Sequence, residues 1–262
     1  MSSQAAIAAA EMIEIAGVRL EVKAWEGTAK HAECPILLLH EGLGSVAMWR
    51  DFPGELARRT GKPVIAWSRT GYGQSDPLPE PRDPDYMHRE ADLVPQVMDA
   101  LGISRASLLG HSDGGSIALI AAARYPERIA ALILEAPHVF VEDVAVASIA
   151  GARDHYLASD MGERLKRYHR HPDQVFWRWN DIWLDPRFRA WNIEDLLPRI
   201  VAPALLIQGL DDEYGTLEQL DRIEAALPET ARAELPDCGH SPHRDQPEAV
   251  LAAVAAFVRG LQ

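Results

Sequence analysis

Cysteine is scarce in this chain: two in 262 residues, Cys34 and Cys238, far apart and at no metal or redox spacing. That excludes a disulfide scaffold and a Cys-built zinc site, and it predicts reduced thiols in a cytoplasmic protein. Basic charge is also short, with 26 Lys and Arg against 39 Asp and Glu for a net charge of -13. Such a balance argues against nucleic acid or an anionic membrane as a partner. No apolar run reaches the length of about 18 residues that a span needs, so no membrane helix is predicted. The opening stretch MSSQAAIAAAEMIEIAGVRL is Ala-rich but has no basic region, and Glu11 and Glu14 interrupt it, so it does not read as a leader. Internal repeats are missing, and the ten histidines include no pair at a spacing such as HExxH, so neither a metal nor another cofactor is expected. The prolines of DPLPEPRDPDY predict a surface loop.

What the chain does have is enough apolar residue, 47%, for a full core in one domain with room for an insertion. After a pair of N-terminal strands in MIEIAG and RLEVKAW come CPILLLH, KPVIAWS, ASLLGH, IAALILEA and APALLIQG. Each is a short apolar run bounded by turn residues, the pattern of a strand buried on both faces. Between them, 84–101, 113–125, 216–227 and 246–261 carry helical spacing, with Pro95 a candidate kink in the first. Alternation of this kind predicts an α/β domain: a mostly parallel central sheet flanked by helices.

One connection is too long for a crossover, which needs about a dozen residues or more. From Pro137 to Val201 the chain carries helical spacing in SIAGARDHYLASDMGERLKRYHR and an aromatic cluster of Phe176, Trp177, Trp179, Trp183, Phe188 and Trp191. The expected organisation is therefore a core of 1–137 and 201–262 with a helical cap, 138–200, inserted after the sixth strand. Aromatic residues pack caps onto cores, so only one or two of Trp177, Trp179, Trp183 and Trp191 are expected to touch a ligand.

Gly110, Ser112 and Gly114 spell GxSxG, the pattern of a nucleophile elbow, in which a tight strand-to-helix turn lifts a serine hydroxyl above the sheet. The glycines answer a steric need, since side chains two residues either side of a strained serine would collide with strand and helix. By itself the pattern arises by chance in about one chain in ten of this length. Its context, RASLLGH before and GGSIALIAAARYPE after, is the required strand and helix. A serine hydroxyl needs a base, and the base needs an orienting carboxylate. Downstream, APALLIQGLDDEYGT offers Asp211, Asp212 and Glu213 after a strand, and ARAELPDCGHSPHRDQPEAV offers His240 and His243 ahead of the last helix.

In LLLHEGLGS with MWRDFP, SRTGYGQSD, GHSDGG, and the pair LLIQGLDDEYG and CGHSPHRDQPE, the chain resembles capped bacterial α/β-hydrolases over nearly its whole length. The resemblance implies an α/β-hydrolase fold and a catalytic triad of Ser112, Asp212 and His240. By position it selects Asp212, three residues after Gly209, over Asp211, and His240, directly after Gly239, over His243. It also implies an oxyanion hole made by the backbone N–H groups of Asp113 and Gly42. SRTGYGQS, with Arg69, Gly71 and Gly73, is read as a structural loop.

The same resemblance frames the substrate. Glu41 stands where a glycine commonly follows the histidine, so this carboxylate either turns away from the oxyanion hole or binds something cationic. Ser-Asp-Gly-Gly is similar to the elbow of biphenyl-hydrolase-like enzymes that cleave amino-acid esters, where the acid contacts a substrate amine; the other reading of Asp113 is local hydrogen bonding. Glu41, Trp177, Trp183 and His243 are the candidate substrate contacts. A small-molecule carboxylic ester, thioester or lactone with an apolar or aromatic acyl group is the expected substrate, with carbon-carbon bond hydrolysis of the meta-cleavage-product type as the enzymatic alternative. A ligand receptor or scaffold of the same fold is the non-enzymatic one. The reading leaves room for a homodimer.

Overall fold

The computed structural model describes residues 12–28 and 34–261. Eight strands form one sheet: β1 (Met12–Ile15), β2 (Val18–Trp25), β3 (Ile36–Leu39), β4 (Val64–Trp67), β5 (Ala106–His111), β6 (Ile129–Glu135), β7 (Ala204–Gly209) and β8 (Thr230–Leu235). Their order is β1-β2-β4-β3-β5-β6-β7-β8. Strand β2 runs antiparallel to β1 and β4, and the remaining pairings are parallel. Helices α1 (Phe52–Thr60), α2 (Tyr86–Ala100), α3 (Asp113–Arg124), α4 (Asp143–Ala158), α5 (Met161–Leu165), α6 (Pro172–Trp183), α7 (Glu218–Ala226), α8 (Pro242–Asp245) and α9 (Pro247–Gly260) complete the chain. Most of the Ala-rich opening stretch, including Glu11, lies outside the described residues.

The two-residue period of a strand divides the apolar runs between two cores. Leu37, Leu39, Leu108, Leu132, Leu134 and Leu206 face α2, α3 and α7, whereas Ile36, Leu38, Leu109, Ile133, Leu205 and Ile207 face α1 and α9. Because both faces are covered, β3, β4 and β5 are buried at every position. This is why the runs are continuously apolar. Helix α2 runs through Pro95, which sits off the buried face formed by Tyr86, Met87, Glu90, Ala91, Val94, Val97 and Met98.

The proline-rich loop before α2 is less superficial than its composition suggests. Arg82 folds inward, donating from Nη1 to Glu90 Oε1 at 3.0 Å, with its guanidinium 5.2 and 4.7 Å from the ring centres of Tyr72 and Tyr86. Prolines report backbone geometry, not where an intervening side chain goes; a carboxylate and two aromatic faces let this arginine leave water.

Between β6 and β7 lie α4, α5, α6 and two short 3-10 helices, Phe188–Ala190 and Glu194–Arg199. The neck of the insertion is closed by a bridge between Phe140 and Asn192 and by Ile193 N donating to Val139 O at 2.8 Å. Beyond the neck, Glu194–Arg199 packs back on α3. Aromatic pairs hold the insertion together, Tyr156 stacking on Phe176 at 3.7 Å and Trp183 meeting Phe188 edge-on at 5.1 Å. Among the described residues no helix is long and apolar enough to cross a membrane, and no group of three or more His, Cys, Asp or Glu could hold a metal. Cys34 and Cys238 are free thiols.

Candidate active site

Strand β5 ends at His111 and α3 begins at Asp113, so Ser112 forms the corner, with φ 53 and ψ -118. A non-glycine residue in that region costs about 1–3 kcal/mol and persists only where its surroundings enforce it. Here Ser112 N donates to Glu135 O at 2.9 Å, while Gly115 N and Ser116 N donate to Ser112 O at 2.8 and 3.1 Å. The flanking glycines are steric requirements: a Cβ on Gly110 would lie 2.2 Å from Gly114 O, and one on Gly114 would lie 2.0 Å from Leu39 O.

Two loops on neighbouring strands reach this corner. His240 Nε2 lies 2.9 Å from Ser112 Oγ, and His240 Nδ1 lies 2.8 Å from Asp212 Oδ1. Asp212, in the loop after β7, also accepts from Tyr214 N (2.8 Å), Gly215 N (3.2 Å) and Gln208 Nε2 (3.1 Å). Burial alone would raise its pKa, but the His240 hydrogen bond and charge, with the Tyr214 amide, hold the carboxyl below its ordinary value. Asp211 is exposed. His240 is set by its main chain: its N–H donates to Glu213 Oε2 at 3.2 Å, and its carbonyl lies 2.6 Å from His111 Nε2. Glu213 thus serves the His240 loop, and the Tyr214 ring stacks obliquely 4.7 Å from the imidazole.

A cavity of about 270 Å³ opens above Ser112 and His240. Its roof comes from the insertion, through Ala145, Ile149, Met161, Leu165, Trp179 and Trp183. Trp179 and Trp183, four apart on α6, share the cavity face. Trp177 does not line the cavity. Two residues before Trp179 on the helix, it turns to the other side and packs edge-on against Tyr156 and Phe176 at 5.6 and 5.2 Å. His243 is likewise no cavity residue: α8 turns it into the core, where its N and Nδ1 meet Glu135 Oε2 at 3.2 and 2.7 Å and its ring packs on Trp49 at 4.7 Å.

The two carboxylates in question differ. Asp113 is 1% exposed and enclosed, accepting from Tyr86 Oη (2.8 Å) and Trp183 Nε1 (3.2 Å), with Arg69 Nη2 at 3.6 Å. Local hydrogen bonding is therefore what its side chain does, and through Trp183 it braces the cavity roof. Glu41 does line the cavity, and its carboxylate lies 3.7 Å from His111 Nδ1. Burial opposes ionisation of Glu41, yet His111, with His40 and His243 adding to it, pulls its pKa well below the carboxylate range. Next to it, Gly42 lets the Trp179 indole approach so closely that a Cβ there would be 2.2 Å from the ring.

Three further histidines and tyrosines that sequence reasoning passed over belong here. His138 lines the cavity 5.7 Å from the His240 ring, and burial, seconded by His240, pushes its pKa down to about 4. Its place just past the carboxyl end of β6 was the available signal. His169, from the insertion, accepts from Gly73 N at 3.0 Å and donates from Nε2 to Leu43 O at 2.9 Å, tying the roof to the Gly42 loop. Tyr214 had only its closeness to Asp212 to mark it.

The α/β-hydrolase fold family model matches residues 35–160. The chain is 31% identical over 241 residues to the human serine hydrolase BPHL, covering 88% of this chain and 80% of that one. It is 28% identical over 265 residues to the esterase YbfF of Escherichia coli, covering 92% and 99%. Among solved structures, the proline iminopeptidase of Mycobacterium smegmatis aligns with a TM-score of 0.79 at 22% identity, covering 95% of this chain and 97% of that one. The meta-cleavage product hydrolase of Pseudomonas fluorescens aligns at 0.77 and 22%, covering 97% and 99%, a likeness of fold. With its eight-stranded, mostly parallel sheet and a relative of this identity spanning most of both chains, the protein belongs to the α/β-hydrolase fold family and is a hydrolase.

Proposed function

We propose that the protein is a serine hydrolase that cleaves a carboxylic ester, thioester or lactone of a small apolar or aromatic acyl group through an acyl-enzyme on Ser112. The observation that carries this reading is the chain of contacts from Ser112 Oγ through His240 to Asp212 beneath an apolar roof. Ser112 attacks the acyl carbonyl and passes its proton to His240 Nε2, while Asp212 holds Nδ1 protonated and stabilises the imidazolium that forms. The oxyanion is received by the N–H groups of Asp113 and Gly42. As the first residue of α3, Asp113 has no partner for its N–H within the helix, and the helix dipole favours negative charge there. His240 then protonates the leaving group, and a water molecule, deprotonated by the same imidazole, releases the acid.

The cavity volume favours a small acyl group, and the indole faces of Trp179 and Trp183 favour an apolar or aromatic one. With Asp113 enclosed and Glu41 facing His111, a neutral acyl group suits the site better than a cationic one. In this reading 138–200 caps a core of 1–137 and 201–262, the only partner required is the substrate, and the free thiols suit a cytoplasmic enzyme. The test is labelling by a fluorophosphonate, expected for the wild type and lost in Ser112→Ala, followed by a panel of nitrophenyl esters of increasing acyl length. A wild type that takes no label would refute the nucleophile and favour a receptor. Faster turnover of a vinylogous dienone than of any ester would move the reading to carbon-carbon hydrolysis by the same residues.

A further inference from the structure

His111 is buried to 1% exposure directly before the nucleophile, and the mechanism above gives it no task. Two segments meet its ring at the end of β5. From the loop after β3, Glu41 Oε2 lies 3.7 Å from Nδ1; from the segment after β8, the main-chain oxygen of His240 lies 2.6 Å from Nε2; and the ring itself sits at the end of β5, one residue before Ser112. Nε2 therefore has a hydrogen-bond acceptor, and Nδ1, which has no hydrogen-bond partner, has a carboxylate at ion-pair distance. A neutral ring with its N–H on Nε2 would turn the Nδ1 lone pair toward the Glu41 carboxylate, whereas an imidazolium sets a positive N–H toward that carboxylate at ion-pair distance while still donating to the His240 carbonyl.

We propose that His111 is a positioning residue that works as an imidazolium: held by Glu41, it donates to the His240 carbonyl and fixes the His240 segment against Ser112. This inference rests on the reading of Ser112 and His240 as nucleophile and base. It assigns Glu41 a task as well, since the carboxylate beside Gly42 supplies the counter-charge that keeps His111 doubly protonated.

The surrounding charges agree with the assignment. From the loop after β3 come Glu41 and His40; from β6 comes Glu135; from the segment after β8 come His240 and His243, whose rings lie 5.2 and 5.0 Å from that of His111. Glu135 is engaged by His243, and His40 faces Glu41 O through Nδ1 at 2.8 Å and takes Arg69 N–H on Nε2 at 3.1 Å. Glu41 is left as the carboxylate for His111. Burial is the largest single influence and disfavours the charged ring, but Glu41, with Glu135 and the His240 carbonyl adding to it, outweighs burial, so the His111 pKa stands above its ordinary 6.5. The charged form is thus favoured relative to a free imidazole, and it is lost as pH rises through that elevated value.

The consequence is an alkaline limb in reactivity that belongs to His111. The experiment measures the second-order rate of fluorophosphonate labelling of Ser112 from pH 5 to about 10 in the wild type, Glu41→Gln, His111→Gln and His111→Phe, with circular dichroism to verify folding. For the wild type the rate is expected to climb as the base loses its proton and then to fall on the alkaline side. In Glu41→Gln the charge that holds a proton on Nδ1 is gone, so a neutral His111 keeps its N–H on Nε2 and on the His240 carbonyl, and the alkaline fall disappears. His111→Gln also removes the fall, because its amide donates at every pH. His111→Phe has no donor and is expected to be slower by about ten- to a hundredfold at all pH values, the cost of a base misplaced by up to an ångström. A wild-type rate with no alkaline fall, or a fall unmoved in both glutamine variants, overturns the proposal while leaving the nucleophile in place. Failure to label the wild type overturns the nucleophile and this inference with it.

Discussion

His138 allows a stability prediction worked directly from the site. Its ring is buried between Trp183 and His240, at 5.2 and 5.7 Å, and its pKa of about 4 compares with 6.5 for an exposed imidazole. The unfolded chain therefore binds a proton at mild acid pH that the folded chain refuses, so stability from this residue is present above 6.5 and is lost as pH falls toward about 4. At pH 5 the linkage cost is about 2 kcal/mol, and it reaches about 3 kcal/mol once both states are protonated. Replacing His138 with glutamine deletes the titration. The variant is less stable than the wild type at neutral pH because contacts with Trp183 are lost, but it should be less sensitive to acid. Urea unfolding followed by circular dichroism at pH 7.5 and 5.0 gives the difference of differences: the wild type should lose about 2 kcal/mol more than His138→Gln. His40 and His169, whose pKa values burial also lowers, add the same acid sensitivity to both proteins and cancel. Equal losses in the two proteins would refute the claim that His138 is held neutral.

Asp212→Asn should lower kcat on a nitrophenyl ester by about four orders of magnitude, because an amide can donate to Nδ1 and stabilise the wrong tautomer, with Asp211→Asn near wild type. Gly114→Ala places a methyl group 2.0 Å from Leu39 O and should cost about 3 kcal/mol or more, or abolish folding, in thermal unfolding. Gly151→Ala, in an open position on α4, should instead stabilise by about 0.5–1 kcal/mol. Trp179→Ala should raise KM for aromatic acyl esters by about tenfold, the loss of one stacking face. Trp177→Ala should leave KM unchanged and lower only the melting temperature, since that indole packs within the insertion.

Much of the fold was legible because a doubly covered parallel sheet leaves continuous apolar runs, and the long helical connection between β6 and β7 stood out by its length. The elbow was legible for a steric reason: strand, strained serine and helix leave no space for side chains at 110 and 114. Where several residues of one type lay close together, sequence position was weaker. Asp211 and Asp212 differ by one residue, yet only Asp212 meets His240 while Asp211 is exposed. Trp177 and Trp179 differ by two on one helix, and only the direction of the helix axis decides which indole meets the cavity. His243 lost its candidate role because α8 rotates it onto Glu135, a contact 108 residues away in sequence.

By itself the sequence determined the α/β alternation, the order of serine, acid and histidine along the chain, and the need for glycine at the corner, since these follow from periodicity, chain direction and the volume of a Cβ. Tertiary structure decided what each carboxylate meets. Asp113 and Glu41 are equally acidic in the text of the chain, yet one is enclosed by Tyr86, Trp183 and Arg69 and the other faces His111 at the cavity wall. Charge in a folded protein is set by what surrounds it, and those neighbours come from distant segments brought together only when the sheet is built.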